Sequence, residues 1–133
     1  MWVYFNDDSR AILFGSYDAT DNVNFEKHTG QRLRIWWNNG EVDFYAPDDA
    51  VTLKEWHFVT FVRDTEQDKF YIYVDGREIA STSNTGKDVT PAGPFYIGRD
   101  ARTGRTVING KIDDVRIYNR ALSSEEVIAL YNK

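Results

Sequence analysis

The sequence predicts an all-β protein, a two-sheet antiparallel β-sandwich finished by one short C-terminal helix, and three features carry that prediction. Short runs rich in Val, Ile, Thr and aromatic residues recur between turn signals along most of the chain, which is the spacing of sandwich strands. Two turn signals, Asn39-Gly40 and Asp75-Gly76, are dipeptides that accept the positive φ angles of tight hairpins. The final residues alone switch from alternation to helical spacing of apolar side chains.

The strand signal falls on residues 2–5, 11–15, 23–27, 32–37, 42–46, 57–63, 69–74, 77–81, 95–98 and 111–118. A type I′ turn at Asn39-Gly40 pairs the strands around it, setting Trp37 against Val42, Ile35 against Phe44 and Leu33 against Ala46. A polar run over 64–68 separates two strongly β-forming segments and marks a second hairpin. Asp75-Gly76 makes a third between 70–74 and 77–81. The helix begins at Ser123, whose hydroxyl and the Glu126 carboxylate three residues on form a capping box. Val127, Leu130 and Tyr131 give that helix one apolar stripe to lay on the sandwich.

Alternation sorts the strand side chains into two sets, because successive residues face opposite sides of a sheet. Leu33, Ile35, Trp37, Val42, Phe44, Val59, Phe61, Phe70, Ile72 and Val74 form the expected core. Arg34, Trp36, Asp43, Tyr45, Phe58, Thr60, Tyr71 and Tyr73 fall on the opposite faces, a mixture richer in aromatics than a plain solvated surface.

A chain of 133 residues suits a single domain over 1–133, large enough to bury about two-thirds of the surface of its unfolded form. It has no Cys, so disulfides, thiolate metal sites and a cysteine nucleophile are excluded. A net charge of −5 with Lys and Arg scattered among the acids argues against nucleic acid as a partner, which needs a concentrated basic surface. No apolar run approaches the roughly 20 residues that cross a bilayer, so membrane insertion is not expected. The first residues lack the basic-then-apolar pattern of an export signal.

Trp56-His57-Phe58-Val59, Val74-Asp75-Gly76, Ile97-Gly98 and the ending Gly110-Lys-Ile-Asp-Asp-Val-Arg-Ile-Tyr-Asn-Arg-Ala-Leu-Ser123 together resemble the laminin-G-like, concanavalin A-like jelly-roll superfamily. The resemblance covers the whole chain and implies two antiparallel sheets, one concave and one convex, packed face to face. Members of that family usually open with one or two strands ahead of the one that residues 2–5 resemble. Their absence here would leave a strand uncovered, and the expectation is an edge-paired or strand-swapped dimer.

The resemblance also implies a structural calcium at Asp113, held with backbone carbonyls near the N-terminus, in keeping with the oxygen ligands calcium prefers. Asp18 and Asp21 form a second acidic pair, which Asx turns explain equally well. Arg34, Trp36, Asp43 and Tyr45, extended by Tyr71, Tyr73 and Phe58 if their strands are neighbours, supply aromatic planes for sugar C–H faces and planar polar groups for hydroxyls. The jelly-roll glucanases of this resemblance carry a Glu-x-Asp-x-x-Glu strand that pairs a nucleophile with an acid. Here Glu41 and Asp43 begin such a run and Ala46 ends it, so no enzyme is expected. His28 and His57 are the only imidazoles, and no nucleophile-elbow pattern accompanies them.

The expected function is therefore a non-catalytic recognition module, extracellular or at the cell surface as part of a larger protein, with a glycan or a protein as its ligand. The alternatives are a fragment of a glycoside hydrolase and an assembly domain of an adhesin, stalk or viral tail.

Overall fold

The computed structural model describes residues 1–17, 22–86, 88, 93–100 and 106–133. Its strands in chain order are β1 (Trp2–Phe5), β2 (Ala11–Tyr17), β3 (Asn22–His28), β4 (Arg32–Trp37), β5 (Val42–Tyr45), β6 (Trp56–Asp64), β7 (Lys69–Val74), β8 (Arg77–Ser83), β9 (Phe95–Ile97) and β10 (Gly110–Asp113), followed by helix α1 (Ser124–Tyr131). They make two five-stranded sheets, ordered β10-β1-β6-β7-β8 and β5-β4-β3-β2-β9. All the ladders are antiparallel.

The inward faces meet in one core. Leu33 and Ile35 of β4, Val59 of β6 and Phe70 and Ile72 of β7 are almost fully enclosed, and side chains of this size stabilise a fold by about 1.5–3 kcal/mol each when buried. Trp37, Phe44 and Phe61 pack against them from the margins. Every residue of the expected core set therefore lies in this cluster or against it.

The hairpins follow the expected pairs, with one difference in the first turn. Trp37 faces Val42 and Ile35 faces Phe44, while the Ala46 amide donates to the Leu33 carbonyl at 2.8 Å. That register leaves residues 38–41 outside the ladder, so the connection is a four-residue loop with a 3-10 turn over Asn38–Gly40. Asn38, Asn39 and Gly40 all take positive φ, where a two-residue turn requires only two such residues. Asp75 and Gly76 do form a two-residue turn, with φ of 51° and 78° between the paired Val74 and Arg77.

The last strand and the first also differ from expectation. Pairing of β10 stops at Asp113, and Asp114 takes a φ of 47°, which breaks the extended run. Residues 114–118 then continue without a ladder among the described residues, and Ile117 is 71% exposed. β1 is no edge strand, because β10 and β6 flank it on either side.

An inward-facing lysine breaks the apolar pattern. Lys27 pairs with core residue Leu33 across the β3–β4 ladder and is completely buried. Its ammonium donates to the Asp7 carbonyl at 3.2 Å, the Asp8 carboxylate at 3.0 Å and the Ser9 carbonyl at 2.7 Å. A buried charge persists only when its hydrogen-bonding capacity is filled, and three oxygens match the three donors of an ammonium.

Helix α1 covers the outer face of the β1-containing sheet. Ser123 and Glu126 form the reciprocal capping box, Val127 sits fully buried against Val62 and Tyr73, and Tyr131 packs on Trp2 and Phe58 with ring centroids 5.8 and 6.3 Å apart.

Candidate functional site

Among the described residues, no α-helix lies on the outer face of the other sheet. Its polar row follows from register: Glu26 is opposite Arg34, Asn24 opposite Trp36 and His28 opposite Arg32 on β3 and β4, while Tyr45 faces Arg34 and Asp43 faces Trp36 across β4 and β5. Paired residues point to the same side. Arg34, Trp36, Asp43 and Tyr45 therefore stand together, as the alternation of the sequence implies.

Arg34 organises the group. Its Nε donates to Asp43 Oδ1 at 2.6 Å and its Nη1 to Glu26 Oε1 at 2.7 Å. Glu26 is wholly enclosed, and its other oxygen accepts from Arg10 Nε and Nη2 at 3.0 and 2.6 Å. One buried carboxylate thus bridges two guanidinium groups. Desolvation alone would lower the Arg34 pKa, but the hydrogen bonds to Asp43 and Glu26 outweigh it and raise the value above the ordinary one.

The aromatics are fixed by the same cation. The Arg34 guanidinium lies 4.6 Å from the Trp36 ring centre and 4.9 Å from that of Tyr45, distances at which the ring quadrupole attracts a cation. Arg32 adds a second cation 4.6 Å from the Tyr45 ring, and His28 meets that ring edge-on at 5.5 Å. Gly40 matters here because a Cβ built on it would lie 2.7 Å from Trp36 Cη2, so the turn leaves room for the indole. The His28 pKa is lowered by burial first and then by Arg34, Arg10 and Arg32, with Glu26 opposing. At neutral pH the ring is an uncharged donor-acceptor.

This face offers half-buried rings, two guanidinium groups and an exposed carboxylate, all held by mutual contacts. Such groups suit a ligand rich in hydroxyls. They are poorly suited to proton transfer, since both oxygens of Glu26 are engaged by arginines.

The remaining expected residues lie elsewhere. Tyr71 and Tyr73 belong to β7 and Phe58 to β6, in the opposite sheet, so they do not extend the row. Tyr73 and Phe58 are covered by α1 and its approach, and the Tyr71 hydroxyl donates to Gln67 Oε1 at 3.1 Å. Asp113 is exposed on β10, and its Oδ1 accepts the Asp114 amide at 2.7 Å. Asp114 itself pairs with Arg116. No group of three or more acidic or His side chains gathers for a cation among the described residues. Asp18 and Asp21 lie outside the described residues.

Two features were not anticipated from sequence. Glu26 and Arg10 join the site through cross-strand and loop contacts, although the placement of Glu26 one alternation from Asn24 on β3 was a usable signal. The second is a line of side chains in which His57 Nδ1 lies 2.8 Å from Asp75 Oδ2 and Nε2 lies 2.8 Å from Thr52 Oγ1. It resembles a hydrolytic triad in outline. Yet the Thr52 backbone amide already donates to Nε2 at 3.1 Å, and Asp75 Oδ1 accepts the Phe58 amide. The lone pair a general base would need is in use, and the line ties the 75–76 turn to the loop ahead of β6.

Residues 1–128 match the Laminin_G_3 model of the concanavalin A-like lectin/glucanases superfamily. No curated protein matches the chain. Among solved structures, the CBM40 domain of Ruminococcus gnavus IT-sialidase bound to α2,3-sialyllactose superposes with a TM-score of 0.83 at 18% identity, over 98% of this chain and 79% of that one. Its complex with α2,6-sialyllactose gives 0.79 at 16% identity over the same shares. The heptameric SAP-like pentraxin of Limulus polyphemus gives 0.76 at 15% identity, over 98% of this chain and 66% of that one. At such identities the structural likeness concerns the fold, and with the family match it places this chain in the concanavalin A-like lectin/glucanase superfamily.

Proposed function

We propose that the chain is a non-catalytic carbohydrate-binding module that contacts sugar at the face built by Arg34, Trp36, Asp43 and Tyr45. The observation that carries this reading is the fixed stack of Trp36, Arg34 and Tyr45 with a buried carboxylate beneath it. Such prior fixing lowers the entropy lost when a flexible glycan binds. A sugar hydroxyl is offered Asp43, Arg32 and the neutral His28, and a pyranose C–H face is offered the accessible part of Trp36. The likeness to a domain solved with sialyllactose supports a glycan ligand. The same likeness supports a place outside the cell, within a larger secreted or surface protein.

A glycan array that includes sialylated and neutral oligosaccharides tests the reading. Trp36→Ala is expected to weaken the strongest hit at least tenfold while circular dichroism stays unchanged. Undiminished binding by that variant would remove the site from this face. Reducing ends released from the same glycans would replace the binding reading with a hydrolytic one.

Calcium at Asp113 stands as a lesser proposal, resting on the residue's exposed second carboxylate oxygen. Calcium is expected to raise the melting temperature of the wild type and leave Asp113→Ala unmoved. Equal shifts in both would dismiss it.

A further inference from the structure

Tyr71 and Tyr73 stand apart from the Trp36 face and line a cleft of their own. Both lie on the outer side of β7 with ring centroids 6.3 Å apart, and Glu78 of β8 pairs opposite Tyr73. The turn ahead of β7 supplies one wall. Asp64 Oδ1 accepts the Glu66 and Gln67 amides at 2.9 and 3.0 Å, and Gln67 Oε1 accepts from the Tyr71 hydroxyl. The approach to α1 supplies another wall through Asn119, Arg120 and Ser124. The space between is about 610 Å³, within the roughly 300–1,000 Å³ of clefts that take small ligands.

Two features of the lining call for a ligand. Tyr73 is only 4% exposed and reaches the cleft, yet its hydroxyl has no hydrogen-bond partner among the described residues. Buried hydroxyls are normally bonded, because desolvation without a partner costs free energy. The second feature is charge. Asp64, Glu66 and Glu78 line the cleft, and Arg120, the cation among its described lining residues, is already held by both oxygens of Glu126, at 2.8 and 2.6 Å. The Glu66 and Glu78 side chains have no ion-pair or hydrogen-bond partner among the described residues. Burial raises the Tyr73 pKa above its ordinary value, and Glu78, Tyr71 and Glu125 raise it further. The phenol is therefore a neutral hydroxyl under the influence of nearby carboxylates.

A bare metal ion does not meet this demand. No three acidic or His side chains gather around one point among the described residues, so the carboxylates are too spread to share an ion. A polyatomic cation can reach them separately.

We propose that this cleft binds an amino sugar through its protonated amine. The ammonium donates to Glu78 and to the Tyr73 oxygen, while Gln67, Asn119 and Ser124 offer amide and hydroxyl partners to the sugar hydroxyls. A charged donor suits unpaired carboxylates, because a charge-assisted hydrogen bond is about twice as strong as a neutral one. The cleft lies on the opposite sheet from Trp36, and the proposal does not depend on sugar binding there.

The test is calorimetric titration with a β-1,4-linked glucosamine trisaccharide and its fully N-acetylated counterpart, at a pH that keeps the free amines protonated. Acetylation is expected to weaken binding at least tenfold, since it removes the charge and retains the rings. The diamine 1,6-diaminohexane, which has the charge without the hydroxyls, is expected to bind several-fold more weakly than the glucosamine trisaccharide. Glu78→Gln is expected to weaken the trisaccharide at least tenfold. Tyr73→Phe is expected to weaken it at least threefold without lowering the melting temperature, because the hydroxyl removed bonds to nothing in the protein. Equal affinity for the two trisaccharides, or full affinity in either variant, would overturn the proposal. A diamine that binds as tightly as the trisaccharide would overturn it in favour of a simple polyamine. Loss of glucosamine binding in Trp36→Ala would overturn it by moving the amine to the other face, whereas failure of Trp36→Ala to affect neutral sugars bears on that face alone.

Discussion

The two outward faces of this sandwich begin from the same sequence pattern and end differently. On β6 and β7 the alternate residues Phe58, Tyr71 and Tyr73 face away from the core, as Trp36 and Tyr45 do on β4 and β5. The first group lies beneath α1 and its approach, with Phe58 and Tyr73 buried. The second is left to stack on arginines. An aromatic on the outer side of a strand is thus a candidate for stacking on sugar only when no later element covers it. That choice is made by the last residues of the chain, far from either face in sequence.

Breaking the uncovered face at its base should have the largest effect. Glu26→Ala strands Arg10 and Arg34 beside a void, and removal of one partner from a buried ion pair costs about 3–5 kcal/mol. Chemical denaturation should show a loss of that order, and a loss below 1 kcal/mol would mean that the arginines find other partners. The covered face should yield less to Val127→Ala. We expect about 2 kcal/mol from the methyl groups removed and the space left behind, with sugar binding unchanged. Ser123→Ala, which removes the cap of α1, should cost about 1 kcal/mol.

The smallest effect distinguishes the faces by pH. His28 has a folded pKa below its ordinary value near 6.5, chiefly through burial and then through the neighbouring arginines. The folded form resists protonation, so its full stability is present above pH 6.5 and declines as the pH falls through that value toward the folded pKa. Glu126 on the covered side is held at about 2 by Arg120 and the Ser123 amide. Its contribution is present above the ordinary carboxylate range near 4.5 and is lost as the pH falls toward 2. Melting curves of His28→Asn should flatten only the upper window, and those of Glu126→Gln only the lower. A flattening of the wrong window in either variant would reverse these assignments.

The sheets were legible in the sequence because local signals agreed. Alternation in 32–37 and 69–74, the Asp75-Gly76 turn and the Ser123 cap each needed only near neighbours. The site was legible in part, since Arg34, Trp36, Asp43 and Tyr45 share a single hairpin. Glu26 was missed because its role depends on a third strand and on Arg10 reaching back from a loop. Tyr71 and Tyr73 extend the row only if their strands neighbour that hairpin, and alternation along a strand does not reveal sheet membership. The extended run 111–118 carried strand propensity throughout, but pairing requires a neighbour, and only its first part has one.

Lys27 has a practical consequence. Its amine is enclosed by three oxygens beneath the 7–9 loop, whereas Lys54, Lys111 and Lys133 are exposed. An acylating reagent should therefore label those three at once and reach Lys27 only when that corner opens. The rate of its modification becomes a clock for local unfolding, readable by mass spectrometry without any engineered label.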